Sequence, residues 1–207
     1  MAYLALVRHG TSVYNAKGIW AGWDDPELNE QGREDAKIAG EHLKDIKFDQ
    51  AYVSDLTRHK QTLEIILETI KQKPQVTESN AVKERDYGDF TAKNKWEVKE
   101  KLGEAEFLKL RRSWDYPVPN GESLKQVFER EVPFYQSTIL PQLIDGKNVL
   151  IASSGNSLRA LVKYLENIAD ADIATVEIAP GEIYLYELNE EGDIVKKEIR
   201  NHKELKV

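Results

Sequence analysis

Arg8-His9-Gly10-Thr11 follows directly on an apolar run from Tyr3 to Val7. A short run with β-branched and aromatic members reads as a buried strand. Such a strand delivers an arginine and a histidine to the carboxyl edge of a sheet, where open α/β sheets bind their ligands. Gly10 lets the backbone turn at once and come close to an anion. A neutral imidazole with a free ring nitrogen is a nucleophile near pH 7, and a neighbouring guanidinium holds phosphate oxygens in a fork. These residues in this order suit a phosphoryl acceptor, with His9 forming the bond and Arg8 supplying charge. The plainer alternative is a loop tripeptide without chemistry, which chance supplies in roughly one chain per hundred of this size.

The elements that must position these residues follow from periodicity and punctuation. Asn29 can cap a helix through Ala36, Ile38, Ala39 and Leu43. Ala51 to Ser54 reads as a second strand, and Asp55 can cap a helix carrying Thr62, Leu63, Ile66, Leu67 and Ile70, with Pro74 preventing its continuation. Trp96 to Arg112 suits short helices over the site. Ser123 to Ile144 is a long amphipathic pattern that Pro133 should kink, and Gly146 is a helix stop. Val149 to Ala152 is a third buried strand, with Asn156 or Ser157 capping a helix from Leu158 to Leu165. Tyr184 to Leu188 and Ile194 to Ile199 close as strands around an Asn-Glu-Glu-Gly-Asp turn. Strands alternating with helices predict an α/β fold, a three-layer sandwich around a mainly parallel sheet.

A chain of 207 residues with 41% apolar content fits one domain, 1–207, with a sizeable core. No apolar run reaches the length of a membrane span, and no charged-then-apolar leader precedes the first strand, so a cytoplasmic location is expected. Cysteine is absent, which excludes disulfides and thiolate chemistry. The formal charge of -7 argues against a nucleic-acid partner. A small anionic substrate is still compatible, because Arg8, Arg58, Lys95, Arg111 and Arg112 can form a local positive pocket. No metal-ligand spacing is present, and the sequence leaves homo-oligomer formation open.

Beyond the first motif come Thr11-Ser12-Val13-Tyr14-Asn15, Gly22-Trp23, Leu28-Asn29-Glu30-Gln31-Gly32, Ser54-Asp55-Leu56-Thr57-Arg58, Glu84-Arg85-Asp86-Tyr87-Gly88, Arg111-Arg112 and Gly155-Asn156-Ser157-Leu158-Arg159. In this order, from about Leu4 to about Glu187, the chain resembles the cofactor-dependent phosphoglycerate mutases of the histidine phosphatase superfamily. Its short segment between Arg112 and Glu122 resembles the compact bacterial branch. The resemblance implies that 2- and 3-phosphoglycerate are interconverted through a phosphohistidine at His9, with 2,3-bisphosphoglycerate as phosphoryl primer and no metal. It implies that Arg8 and Arg58 bind the phosphoryl oxygens and balance the charge spread over them in the transition state. Glu84 matches the proton donor, a carboxylic acid suited to protonating an alkoxide; Lys83-Glu84-Arg85-Asp86 reads equally as a salted surface loop. Lys95, Arg111 and Arg112 match positions that clamp the substrate's carboxylate and distal phosphate, and Tyr87 adds a hydroxyl donor. Asn15, Ala21, Gly22, Gly155 and Asn156 complete the implied binding set.

One departure is large. Where the family shows a second histidine before Gly-Asn-Ser, this chain has Ser154, which is neutral, shorter and offers one donor. Loss of a charge-stabilising donor typically slows a reaction about a hundred- to a thousandfold. No other histidine offers itself as a replacement: His42 and His202 lie outside any site motif, and His59 adjoins Arg58 on a helix, so the two side chains should diverge. On this reading Ser154→His alone should accelerate transfer. Ala21 stands where a hydroxyl residue is common, and the tail Asn201 to Val207 lacks the family's small-residue ending. Two alternatives follow: a broad-specificity phosphomonoesterase using His9 and Glu84, and a catalytically impaired relative that binds phosphorylated metabolites.

Overall fold

The computed structural model describes residues 1–201. The chain opens with β1 (Ala2–Arg8), the single-turn α1 (Val13–Ala16) and α2 (Glu30–Glu41), followed by β2 (Gln50–Val53), α3 (Thr57–Ile70) and β3 (Gln75–Glu78). Next come α4 (Lys95–Leu102), α5 (Glu104–Arg112), α6 (Leu124–Phe134) and α7 (Leu140–Ile144). β4 (Val149–Ser153), α8 (Gly155–Leu165), β5 (Ile183–Leu188) and β6 (Ile194–Arg200) finish the described chain.

These strands form one six-stranded sheet in the order β3-β2-β4-β1-β5-β6. The first four are mutually parallel, and β5 pairs antiparallel with both β1 and β6. β1 lies at the centre, with Leu4 opposite Val149 and Arg8 opposite Ser153 on one side, and Val7 opposite Ile183 on the other. Because successive strand side chains point to opposite faces, the run from Ala2 to Val7 feeds two cores at once. Leu4 and Leu6 join Ile151 and Tyr186 beneath Tyr135, Ile139, Leu158 and Leu161. Ala5 and Val7 join Leu150 and Ala152 beneath Ala39, Leu43, Leu63 and Ile66. Each such fully buried aliphatic side chain contributes about 1.5–3 kcal/mol. The sheet is thus covered on both faces, as the expected α/β sandwich requires.

Local details differ from the sequence expectations in instructive ways. Asn29 does cap α2, accepting from the Gly32 N–H at 2.8 Å. Asp55 does not cap α3; it pairs with Lys83 at 2.8 Å, and the N-cap is Leu56, without a side-chain bond. The first turn is instead capped from a distant loop, where Asp25 accepts from both the N–H and the hydroxyl of Thr57 at 2.6 Å. Neither Asn156 nor Ser157 caps α8, which begins three residues earlier than expected with Ser154 as its N-cap. Pro133 lies inside α6; the irregularity it introduces is taken up in one π turn over Tyr135–Ile139 before α7 resumes. β3 carries no apolar alternation and was not anticipated; the neighbouring β2 defines it through pairs such as Ala51 with Val76.

The parallel arrangement brings the carboxyl ends of β1, β2 and β4 to the same edge of the sheet. α3 and α8 start there, so two helix N-termini flank the residues that follow β1. A smaller apolar cluster of Trp20, Tyr87, Phe107 and Leu110 roofs that edge and carries α4 and α5.

Candidate active site

His9 is the first residue beyond β1 and is buried. Its backbone N–H donates to the Ser153 carbonyl at 2.8 Å, which extends the β1–β4 pairing by one step and holds the residue in place. Its Nδ1 lies 2.6 Å from the Gly10 carbonyl oxygen. A carbonyl only accepts, so the ring proton sits on Nδ1 and Nε2 keeps its lone pair. Burial, then Arg58 and then Arg8, hold the His9 pKa well below the ordinary histidine value, so the imidazole is neutral near pH 7. A neutral ring with a free, oriented Nε2 is a nucleophile ready to accept a phosphoryl group.

Arg8 and Arg58 stand on either side of it. Each guanidinium is tied to backbone carbonyls: Arg8 to Ile178, and Arg58 to Asp24 at 2.9 Å and Gly22 at 2.8 Å. The Nε of each is buried with no hydrogen-bond partner, and neither forms a salt bridge among the described residues. Two buried cations held by dipoles and not by carboxylates leave positive charge for an anion, the chemistry that a phosphoryl group fits. The N-terminus of α8 adds its dipole there, and a Cβ on Gly155 would lie 3.4 Å from Arg8 Nε.

These groups line one cleft. Six cationic side chains (Arg8, Arg58, Lys95, Arg111, Arg112 and Arg159) and two carboxylates, Glu84 and Glu177, face it. Glu84 is buried, so the surface-loop alternative for its segment fails. One of its oxygens accepts from the Arg85 N–H at 2.7 Å, while Trp23 and Arg130 donate to its carbonyl at 2.8 and 3.0 Å. Lys95 opens α4, and burial, then Arg111 and then Arg8, pull its pKa down to about 8. Arg111 rests over the Phe107 ring, and Arg112 pairs with Glu177 at 2.8 Å. Tyr87 is stacked on Trp20, and its hydroxyl accepts from Asn156 Nδ2 at 2.9 Å. Asn15, Ala21 and Gly22 complete the wall; Gly22 has φ +52, and a Cβ there would lie 2.9 Å from Thr91 Oγ1 and 3.1 Å from the Tyr87 backbone nitrogen. No group of residues suited to hold a metal ion occurs among the described residues.

Ser154 is the one expected site residue that does not line the cleft. It is fully buried, with its hydroxyl 2.6 Å from His59 Nε2. Arg58 and His59 diverge as expected, Arg58 lining the cleft and His59 not, yet the His59 ring centroid lies only 5.4 Å from that of His9. His202 and the tail beyond Asn201 lie outside the described residues. Residues missed in the sequence include Arg159, whose guanidinium accepts no proton and donates to Asn156 Oδ1 at 3.0 Å and to the Ile173 carbonyl at 2.8 Å. Its spacing of three from Asn156 on one helix was the available signal. Glu177 and Ile178 come from a loop without a motif.

Comparison with known proteins agrees with this geometry. The profile of the histidine phosphatase superfamily (branch 1) matches residues 4–200. The chain is 44% identical over 199 residues to the 2,3-bisphosphoglycerate-dependent phosphoglycerate mutase of Parvibaculum lavamentivorans, covering 95% of each protein. It is 43% identical over 199 residues to a phosphoglycerate mutase of Schizosaccharomyces pombe, covering 95% of this chain and 94% of that one. Among solved structures, Bacillus stearothermophilus YhfR superposes with a TM-score of 0.83 at 22% identity, over 98% of this chain and 96% of that one. A mycobacterial glucosyl-3-phosphoglycerate phosphatase superposes with a TM-score of 0.82 at 21% identity, over 96% and 97%; at that identity both show the fold alone. The chain belongs to branch 1 of the histidine phosphatase superfamily, beside the phosphoglycerate mutases that it matches over nearly its whole length.

Proposed function

We propose that the protein interconverts 2-phosphoglycerate and 3-phosphoglycerate by passing a phosphoryl group through His9, acting as one domain in the cytoplasm. The observation that carries this reading is a neutral, buried His9 between two carboxylate-free arginines, with further cations across the same cleft. When bound, 2,3-bisphosphoglycerate supplies the phosphoryl group that loads His9; the unpartnered Nε atoms of Arg8 and Arg58 fit such an anion.

In the transfer, the lone pair on His9 Nε2 forms the nitrogen–phosphorus bond as the phosphorus–oxygen bond to the leaving group breaks. Arg8, Arg58 and the α8 N-terminus balance charge on the phosphoryl oxygens. Glu84 gives its proton to the departing alkoxide and takes one from the hydroxyl that attacks on return. Lys95, Arg111 and Arg112 hold the carboxylate and the far phosphate, so either end of the substrate can be presented to His9. The phosphomonoesterase alternative draws on one observation: Arg112 is already paired with Glu177, which weakens the far clamp.

Incubation with 2,3-bisphosphoglycerate should give an acid-labile phosphoryl adduct that maps to His9. Mapping to His42 or His59 overturns the assignment. Phosphoglycerate interconversion should exceed phosphoglycerate hydrolysis in a paired assay, and the reverse ratio transfers the function to the phosphomonoesterase reading.

A further inference from the structure

Position 154 poses a specific problem, because the resemblance places an imidazole there and this chain has a serine. The structure shows what surrounds that serine. Ser154 Oγ lies 2.6 Å from His59 Nε2, and His59 Nδ1 lies 2.7 Å from Ser54 Oγ. All three residues are fully buried. They come from three places, the residue after β4, the first turn of α3 and the loop after β2, and meet around His59, whose ring centroid lies 5.4 Å from that of His9.

Ser54 Oγ accepts from the Leu56 N–H at 3.3 Å and lies against His59 Nδ1, so the ring is held at both nitrogens. A neutral imidazole has one N–H and one lone pair, so one of the two serines donates to the ring and the other accepts from it. Ser154 is also the N-cap of α8, a place where a serine ordinarily accepts from its own helix, yet it makes no capping bond. Its oxygen is engaged by His59 instead, and the first-turn N–H groups of α8 stay available to an anion. The β1–β4 pairing ends at Arg8 opposite Ser153, so His9 and Ser154 are the next residues on each strand.

We propose that the second imidazole of this site has moved from position 154 to His59. In this arrangement His59, held by Ser54 and Ser154, is a positioning residue: its ring packs 5.4 Å from that of His9, and its hold on Ser154 keeps the N-terminus of α8 open to the phosphoryl oxygens. The site therefore keeps a second imidazole beside His9 despite the serine, and its transfer rate should not suffer the loss that the sequence alone suggests. The same geometry reverses the expectation for Ser154→His. A histidine at 154 would have to enter space that His59 fills, with no exposed route for either ring, so the single change should slow transfer.

The proposal rests on the phosphohistidine reading, and its test separates the two. The rate of His9 phosphorylation by 2,3-bisphosphoglycerate is measured in rapid-mixing experiments, beside phosphoglycerate affinity and thermal stability. A wild-type protein that does not label at His9 overturns the phosphohistidine reading. With labelling established, His59→Leu, which fills much of the ring's volume without a donor, should label about a hundredfold more slowly. Phosphoglycerate affinity should stay within about threefold, since the arginines that bind it are untouched. His59→Gln, which retains an N–H donor, should recover part of the rate. The reciprocal exchange, His59→Ser with Ser154→His, conserves side-chain volume and should return to within about tenfold of wild type, while each single change remains slow. Wild-type rates in folded His59→Leu overturn the positioning role. So does a folded exchange protein no faster than Ser154→His alone, and this arm decides the matter if His59→Leu does not fold.

Discussion

At the residue scale, the site works by controlling where protons and charges lie before substrate arrives. One carbonyl, that of Gly10, decides which nitrogen of His9 is free, and burial with two arginines keeps that nitrogen unprotonated. Lys95 is a cleft residue whose charge can change under ordinary conditions, because burial and Arg111 bring its pKa to about 8. An ammonium is charged below its pKa, so raising the pH through about 8 removes a cation from the cleft. The expected result is a fall in kcat/KM for phosphoglycerate above about pH 8, since that ratio reports groups of the free protein. Lys95→Arg should flatten this limb by moving the charge change far higher. Lys95→Met should lower kcat/KM about ten- to a hundredfold near pH 7, the value of a charge-assisted hydrogen bond. A pH profile unchanged in Lys95→Arg would remove Lys95 from the clamp.

At the scale of elements, the decisive contact is between the loop after β1 and the start of α2. A Cβ on Gly10 would lie 2.0 Å from the Gly32 carbonyl oxygen, and one on Gly32 would lie 2.1 Å from that of Thr11. Two glycines back to back let the two backbones touch, and this contact sets the direction in which His9 leaves the sheet. Asp35 reinforces it by accepting from the N–H and hydroxyl of Thr11 at 3.0 and 2.9 Å. Gly10→Ala must push the loop and helix apart, an overpacking change that costs about 1–3 kcal/mol. Thermal melts should show a Tm lower by several degrees. His9 labelling should fall as well, because the carbonyl that orients its ring belongs to the displaced residue. A variant with unaltered Tm and labelling would show that the loop has room the structure does not display.

For the whole molecule, net charge and site charge have opposite signs. The chain carries a formal -7, yet six cations and two carboxylates line the cleft. The sheet topology makes this possible by gathering cations from β1, α3, α4, α5 and α8 at one edge, while the acidic excess is distributed elsewhere. A cationic cleft should attract phosphoglycerate through its local field, and that attraction is screened within about 10 Å at 0.1 M salt. Raising the ionic strength from about 10 to 150 mM should therefore raise KM several-fold with little change in kcat. A KM indifferent to salt would show that the bound arginines act only by direct contact. Among the described residues, no helix is long and apolar enough to cross a membrane.

Sequence by itself determined the sheet's central strand, the placement of His9 at its carboxyl end and most of the residues that line the cleft. These lie in local patterns: an apolar run ending in Arg-His-Gly, an arginine in a first turn, paired arginines, and a Gly-Asn at a helix start. Local patterns also placed α2, α6 and the final hairpin, because capping and periodicity act over a few residues. What only the tertiary structure decided involves partners distant in the chain. Asp25 caps α3 in place of Asp55, β3 is a strand because β2 pairs with it, and Arg159 reaches the cleft by way of Asn156. His59 is the clearest case. Helical spacing places it beside Arg58 and says only that the two side chains diverge, whereas β4 packed against α3 brings Ser154, 95 residues away, to within 2.6 Å of its ring. A hydrogen bond depends on distances of a few tenths of an ångström between groups that the chain joins only through its fold, so the contact between His59 and Ser154 becomes visible only once the sheet is assembled.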